Sequence, residues 1–160
     1  MLTFKLYLIT DRKLCQKPFL KVIESACKSG IKALQLREKD LNTKELLELA
    51  LKLRKITSKY HTRLFINDRI DIAKIVNADG MHIPENGLPI KVARKLLPKK
   101  LIGASCHNLD NALRLEKETA DFIVFGSIFK QKANYKAQGI ESLGIICERV
   151  RIPVFAVGGI

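Results

Sequence analysis

Hydrophobic and polar positions alternate in blocks along this chain. Short apolar runs of strand length are each followed by a longer stretch in which apolar residues recur at helical spacing, as Leu46, Ala50 and Leu53 do. The pattern predicts strands at residues 5–10, 33–37, 64–68, 80–83, 101–105, 122–127 and 153–158. It predicts helices at residues 19–28, 43–60, 70–76, 90–97, 108–118 and 140–149.

Two of these helices have recognisable starts, with Thr43 ahead of Glu45 and Asn108 ahead of Asp110 as candidate N-caps. The predicted strands are almost continuously apolar, which is typical of parallel strands covered by helices on both faces. The repeated strand–helix unit indicates an α/β fold. At this level two architectures remain open, a doubly wound sheet and a (β/α)8 barrel.

The last predicted strand is followed only by Gly158, Gly159 and Ile160. A Gly-Gly turn at the carboxyl end of a strand is an unusual place for a polypeptide to stop. A barrel also needs eight strands and about 200 residues or more. We therefore expect a C-terminal portion that lies outside these 160 residues.

Composition places the chain among ordinary globular domains, since 47% of the 160 residues are hydrophobic and 28% are charged. The 29 Lys and Arg against 16 Asp and Glu give a net charge of +13, which favours anionic partners: nucleic acid, a membrane surface or phosphorylated substrates. No apolar run reaches the roughly 18 residues of a membrane span. No signal peptide is visible, so we predict a cytoplasmic protein without a membrane partner.

The four cysteines are widely spaced and contain no C-x-x-C pair, so we predict reduced thiols rather than disulfides or a zinc site. In the strand that ends near Ser105, alternate residues point in opposite directions. Ser105 and His107 should therefore share one face, and Cys106 should point into the core.

Polar residues follow nearly every predicted strand, at the end where α/β enzymes bind their ligands. Cations there suit phosphate oxygens, glycines can offer backbone N–H groups to phosphate, a carboxylate can hold a divalent cation, and a histidine can act as acid or base. The candidate cations are Arg37, Lys39, Lys130 and Lys132, and the candidate glycines are Gly158 and Gly159. The candidate carboxylate is Asp68 and the candidate acid or base is His107, with Asn67 as a further hydrogen-bonding group. They indicate an enzyme acting on a small phosphorylated substrate.

Seven segments in order resemble the thiamin phosphate synthase/TenI family. They are Tyr7-Leu-Ile-Thr10-Asp11, Leu34-Gln35-Leu36-Arg37-Glu38-Lys39, Phe65-Ile66-Asn67-Asp68-Arg69-Ile70-Asp71, Ala78-Asp79-Gly80-Met81-His82-Ile83, Ser105-Cys106-His107, Ala120-Asp121-Phe122-Ile123-Val124-Phe125-Gly126 and Ile152-Pro153-Val154-Phe155-Ala156-Val157-Gly158-Gly159-Ile160. The resemblance implies a (β/α)8 TIM-barrel fold. On that basis residues 1–160 form a single barrel domain, incomplete at its C-terminus because the seventh helix, eighth strand and eighth helix are missing.

Two activities occur in that family. Synthases couple hydroxymethylpyrimidine diphosphate to thiazole phosphate with Mg²⁺, and TenI-type proteins tautomerise a thiazole carboxylate phosphate without a cofactor. For a synthase the resemblance implies pyrimidine diphosphate contacts from Gln35, Arg37, Lys39, Asn67 and Ser105, with Asp68 as metal ligand. For a tautomerase it implies His107 as the catalytic acid or base. In both, the Gly158-Gly159 turn would hold the thiazole phosphate, and we add Lys130 and Lys132 to it.

Two departures from the family pattern favour the tautomerase. The stretch at residues 84–87 lacks the second magnesium-binding aspartate, and the loop at residues 130–134 lacks the usual threonines and aligned lysine. Departure of pyrophosphate needs its charge neutralised, whereas tautomerisation does not. Retention of Asp68 points the other way, and whether Glu85 replaces the missing ligand is left open. The favoured hypothesis is a thiazole tautomerase, with the synthase as the alternative.

A second alternative is a catalytically inactive paralogue that regulates or binds nucleic acid. The segment at residues 90–100 carries five cations and no acid, but the chain has no Trp and only 6% aromatic residues. We therefore interpret the lysines as a solvated surface and predict no nucleic-acid partner. A homodimer is left open.

Overall fold

The computed structural model describes residues 2–130 and 137–160. The chain divides into two compact units, Met1–His82 and Ile83–Ile160. In the first unit, β1 (Leu8–Ile9), β2 (Ala33–Leu36), β3 (Arg63–Asn67) and β4 (Gly80–Ile83) pair in that order, each parallel to the next. A short 3-10 helix, Arg12–Leu14, follows β1. The helices are α1 (Phe19–Lys28), α2 (Thr43–Lys59) and α3 (Ile70–Ile75).

The second unit continues the alternation. Its strands β5 (Leu101–Cys106), β6 (Phe122–Gly126) and β7 (Val154–Val157) are parallel, with β6 in the middle. Its helices are α4 (Ile90–Leu96), α5 (Leu109–Lys117) and α6 (Gly139–Arg149). No helix in the described part of the chain has the length and apolar character needed to cross a bilayer.

The predicted α/β class and the order of strands and helices are confirmed. Asn108 caps α5 as predicted, with its side-chain oxygen accepting the Asn111 N–H at 2.8 Å. Two details are wrong. The cap of α2 is Asn42 rather than Thr43, in a capping box with Glu45. β1 is shorter than predicted because only Leu8 and Ile9 pair with β2. The barrel, the single domain and the missing C-terminal elements remain predictions.

The strands are buried as their continuous apolar runs predict. Every residue of β2, β4 and β6 is buried. One aromatic ring sets a strict limit on its neighbour: a Cβ on Gly103 would lie 2.2 Å from the ring of Phe122, its register partner on β6. A glycine is therefore required there for the two strands to pair.

The same carboxylate arrangement holds the amino ends of strands in both units. Asp79, directly before β4, accepts the Leu64 N–H at 2.8 Å and a guanidinium N–H of Arg54 at 2.7 Å. Asp121, directly before β6, accepts the Ile102 N–H at 2.7 Å and a guanidinium N–H of Arg94 at 2.6 Å. Each aspartate thus joins a strand, the preceding strand and the helix before that strand.

We expect Asp121→Ala to lower the free energy of unfolding by about 1–3 kcal/mol, because it leaves the Ile102 N–H without its acceptor. The partly exposed ion pair to Arg94 adds little to this loss. Urea unfolding followed by circular dichroism measures the change. Glu48→Ala, at an exposed position of α2, should stay within about 0.5 kcal/mol of the parent. Equal losses for the two variants would contradict the role of Asp121.

Candidate active site

In the first unit, the ends of β1 and β2 are joined by the buried Thr10. Its N–H donates to the carbonyl of Gln35 at 2.9 Å, and its hydroxyl oxygen accepts the N–H of Arg37 at 2.9 Å. Gln35 is buried, Arg37 is half-buried and Lys39 is exposed. Thr10 therefore fixes the main chain at the start of this predicted binding segment.

Gln35 lies in a buried polar group with Tyr7 and His82. The Tyr7 side chain is half-buried, yet its hydroxyl is shielded from solvent, and this burial raises its pKa well above the usual value, with Gln35 opposing the shift. The rings of Tyr7 and His82 are 6.2 Å apart. Burial, and secondarily the positive charge of Arg37, lowers the pKa of His82 to about 3. His82 is therefore a neutral imidazole at physiological pH.

Asn67 and Asp68 lie at the carboxyl end of β3, as predicted. Asn67 is the register partner of His82, and the N–H of Asp68 donates to the His82 carbonyl at 2.8 Å. Asp68 adopts a left-handed backbone conformation with φ of 63° and is exposed. Within the described residues, its carboxylate has no hydrogen bond or ion pair with protein. This carboxylate is therefore available to a ligand.

In the second unit, Ser105 and His107 are half-buried and Cys106 between them is buried, which confirms the predicted alternation. Nδ1 of His107 lies 2.5 Å from the carbonyl oxygen of Gly126. Because a carbonyl oxygen can only accept, Nδ1 carries the hydrogen. The other ring nitrogen, Nε2, lies 3.7 Å from a carboxylate oxygen of Glu85. His107 therefore forms an ion pair with Glu85 only when it is protonated.

The Gly158-Gly159 turn follows β7 and packs against the end of β6. Both glycines have positive φ angles, 103° and 83°. The carbonyl of Gly158 accepts the N–H groups of Phe129 and Lys130 at 2.8 and 3.2 Å. A Cβ on Gly158 would lie 2.0 Å from the buried Ser127 hydroxyl oxygen, so only glycine fits.

The structure groups the predicted site residues by unit. In the first unit, Gln35 and Asn67 lie near the carboxyl ends of β2 and β3, and Arg37, Lys39 and Asp68 follow those strands. In the second unit, Ser105 lies near the carboxyl end of β5, and His107, Lys130 and the two glycines follow its strands. Lys132 lies outside the described residues. Within those residues, no three His, Cys, Asp or Glu side chains cluster as a metal site.

Several groups that shape these clusters are not among the predicted site residues. Thr10 and Ser127 end their strands, but a lone hydroxyl at a strand end is too common to single out. Glu38 is a clearer omission, because an acid between two candidate phosphate ligands, Arg37 and Lys39, is an unusual neighbour for an anionic substrate. That pattern is the signal that could have identified it.

We expect Gly158→Ala to destabilise the protein by at least about 1–3 kcal/mol, because the added methyl group overlaps Ser127 and the φ angle is unfavourable for alanine. The matched control is Gly144→Ala in α6, where no atom lies within 4 Å of the added Cβ. That variant should gain about 0.5–1 kcal/mol of helix stability. Thermal unfolding of both variants and the parent measures these changes. A Gly158→Ala protein as stable as its parent would contradict the close contact between Gly158 and Ser127.

The buried neutral His82 makes stability depend on acid. Its pKa is about 3 in the folded protein and 6.5 in an exposed histidine, so the unfolded chain binds the proton more strongly between those values. The stabilisation is complete above pH 6.5 and falls by up to about 1.4 kcal/mol per pH unit below it. Urea unfolding between pH 4 and 8 should show this slope, and it should flatten in His82→Gln. A folded-state NMR titration of His82 near 6.5 would contradict the burial.

Comparison with known proteins adds relatives that share nearly the whole chain. The thiamine-phosphate synthase of Clostridium acetobutylicum is 46% identical over 161 residues, which cover 98% of this chain and 76% of that protein. That of Caldanaerobacter subterraneus subsp. tengcongensis is 44% identical over 161 residues, covering 98% and 75%. A solved structure, thiamine phosphate pyrophosphorylase from Pyrococcus furiosus, superposes with a TM-score of 0.89 at 41% identity and covers 98% of this chain and 75% of that one.

The preference for the TenI-type tautomerase is therefore wrong. Relatives at 42–46% identity over 98% of the chain are named thiamine-phosphate synthase. The missing aspartate at residues 84–87 is a weak criterion, because Mg²⁺ is commonly held by one or two carboxylates together with the substrate's phosphates. The prediction of an enzyme, which included a transferase, is confirmed.

A family model described as thiamine monophosphate synthase matches residues 6–160. It covers both units and all seven segments on which the resemblance rests. Its agreement with the relatives confirms the place in thiamin biosynthesis. This chain belongs to the thiamine monophosphate synthase family.

Proposed function

We propose that this chain couples hydroxymethylpyrimidine diphosphate to thiazole phosphate, forming thiamin phosphate and releasing pyrophosphate, with Mg²⁺ as cofactor. The observation that carries the proposal is the set of side chains at the carboxyl ends of β2 and β3 and directly after them. A buried amide, Gln35, precedes two cations, Arg37 and Lys39, and the next strand ends in Asn67 and Asp68. These groups suit a heteroaromatic ring that bears a metal-bound diphosphate.

Each of these side chains has a distinct role in the proposal. The amide of Gln35 offers both a donor and an acceptor to the nitrogen edge of the pyrimidine. Arg37 and Lys39 neutralise the diphosphate oxygens, Arg37 through its planar fork and Lys39 as a point charge. Asn67 orients the ring or its first phosphate. These contacts position the diphosphate, which is the leaving group, before the bond to it breaks.

Mg²⁺ fits the residues present through Asp68. Its carboxylate is exposed and has no hydrogen bond or ion pair with protein within residues 2–130 and 137–160, and a single carboxylate with substrate phosphates is a common magnesium environment. Glu85, the other candidate carboxylate, lies 3.7 Å from the Nε2 atom of His107, and we do not assign it to the metal. When bound, the cation would neutralise charge on the departing pyrophosphate. Asp68 is therefore the residue assigned to the metal.

The second substrate, thiazole phosphate, needs a site for its phosphate group, and its ring nitrogen must reach the methylene carbon of the pyrimidine. Main-chain N–H groups of the Gly158-Gly159 turn, with Lys130 and Lys132, supply the phosphate site in this proposal. The thiazole nitrogen donates its electron pair to the methylene carbon of the pyrimidine, and the bond from that carbon to the diphosphate oxygen breaks. The electron pair of that bond leaves with pyrophosphate, so no proton has to leave the thiazole nitrogen.

His107 consequently has a different task from the proton transfer that a tautomerase would require. Its Nδ1–H is already donated to the carbonyl of Gly126, the last residue of β6. Through that bond it fixes the end of β6. Ser127, the next residue, packs against Gly158 of the glycine turn. We assign it to positioning the phosphate site.

The test is a coupled assay that supplies both substrates and Mg²⁺ and measures thiamin phosphate and pyrophosphate. Asp68→Asn should lower kcat/KM by about 100-fold, because an amide cannot replace the carboxylate at the metal. Asp110→Asn is the matched control: it makes the same chemical change at an exposed position in the first turn of α5, and it should stay near the parent.

Chelation of the metal should stop product formation, and added Mg²⁺ should restore it. A folded parent protein that forms no thiamin phosphate at saturating concentrations of both substrates would disprove the proposed function. An Asp68→Asn protein with parental kcat/KM would remove Asp68 from the metal site while leaving the coupling reaction in place.

A further inference from the structure

Two acids stand beside the cations that are proposed to bind the diphosphate. The segment after β2 reads Arg37, Glu38, Lys39, Asp40, so positive and negative side chains alternate. If Glu38 and Asp40 paired with Arg37 and Lys39, the cations would be lost to a phosphate ligand. If the acids pointed toward that ligand, they would repel it.

The structure gives both acids another partner, Arg12 in the short 3-10 helix after β1. Glu38 is buried, and its carboxylate accepts the main-chain N–H of Arg12 at 3.0 and 3.2 Å. The Arg12 guanidinium donates to Glu38 at 3.3 Å and, in a two-pronged contact, to Asp40 at 2.7 and 2.8 Å. Lys13 adds an ion pair to Asp40 at 3.0 Å. Hydrogen bonds from Arg12 and Lys13 hold the pKa of Asp40 far below its usual value, so Asp40 is an anion at neutral pH.

Arg37 and Lys39 are left out of this network. Thr10 accepts only the main-chain N–H of Arg37. Across residues 2–130 and 137–160, neither of these two cationic side chains has a hydrogen bond or an ion pair with protein. Arg12 thus pairs with the acids of the segment, and the half-buried Arg37 and the exposed Lys39 are not paired with those acids.

We propose that Arg12, Glu38 and Asp40 form a positioning cluster for the diphosphate end of the substrate, in which Arg12 withholds both carboxylates from Arg37 and Lys39. The inference rests on the proposed function for the identity of the anion. Glu38 anchors the loop after β1 to the loop after β2, and Asp40 fixes the direction of the Arg12 side chain. None of the three residues needs to touch the substrate.

The probe is inorganic pyrophosphate with Mg²⁺, titrated into the folded protein by calorimetry. Arg12→Ala should weaken binding by about five- to tenfold, because Asp40 then keeps only its pair with the exposed Lys13 and can compete with the anion for Arg37 and Lys39. The double variant Arg12→Ala/Asp40→Asn should return the Kd to within about twofold of the parent, because the competing charge is then gone.

The matched control is Arg54→Ala, which removes an arginine from a second ion pair in the same unit. Arg54 lies 2.7 Å from Asp79, as Arg12 does from Asp40, and the aspartate is 37% exposed in both pairs. That pair holds the amino ends of strands, so its loss should lower the unfolding midpoint and leave the pyrophosphate Kd unchanged. Circular dichroism confirms that each variant is folded before titration.

Kinetics supply a second readout that a purely structural role would not produce. In Arg12→Ala, KM for the pyrimidine diphosphate should rise by about the same factor as the Kd, while KM for thiazole phosphate and kcat stay within about threefold. Arg12→Lys keeps a charge but loses the two-pronged contact, and it should fall between the parent and Arg12→Ala.

Each result separates the inference from the proposed function. An Arg12→Ala protein with parental pyrophosphate affinity overturns the inference. A double variant no better than Arg12→Ala also overturns it, because Arg12 would then bind the anion itself or act only on folding. If the pyrophosphate affinities follow the expected order but no thiamin phosphate is formed, the proposed function fails and the positioning cluster remains.

Discussion

Burial of parallel strands on both faces is the constraint on which the rest of this structure depends. β2, β4 and β6 have no exposed residue, so charged groups are placed where a strand begins or ends, and the polar Gln35 and His82 inside β2 and β4 are buried and uncharged. At the amino ends, Asp79 and Asp121 use that position to hold strands together. At the carboxyl ends, the available positions are occupied by residues suited to binding a ligand. The division follows from the direction that all strands of a unit share.

Pairs of arginine and aspartate have different roles at the amino and carboxyl ends of the strands. Arg54 with Asp79 ties a helix to the start of two strands, where no ligand is proposed. Arg12 with Asp40 lies beside the proposed diphosphate ligands, where any unpaired carboxylate would oppose an anion. Part of the large positive charge of the chain is thus used to neutralise acids locally, which leaves Arg37 and Lys39 available. Net charge alone reveals neither use, because it does not say which cation meets which acid.

The choice between tautomerase and synthase shows the limit of reading a missing ligand as a missing reaction. The absent aspartate after β4 pointed away from metal-assisted departure of pyrophosphate, whereas the relatives carry the synthase name. A magnesium ion bound mainly by substrate oxygens needs few protein ligands. One lost carboxylate therefore weighs less than the retained Asp68 and its neighbours after β2 and β3.

By itself, the sequence determined the class of fold, the order of strands and helices, and the capping of α5 by Asn108, because hydrophobic periodicity and capping act over a few residues. It also determined which side chains follow each strand, and hence the candidate ligands. Only the tertiary structure decided that β1 keeps two paired residues, that His107 meets the carbonyl of Gly126, and that Glu38 is buried against Arg12. These contacts join residues 19 to 26 positions apart, and no local pattern encodes such a meeting. They form only when parallel strands bring successive loops side by side, so the pairing of charges within the site is a property of the fold.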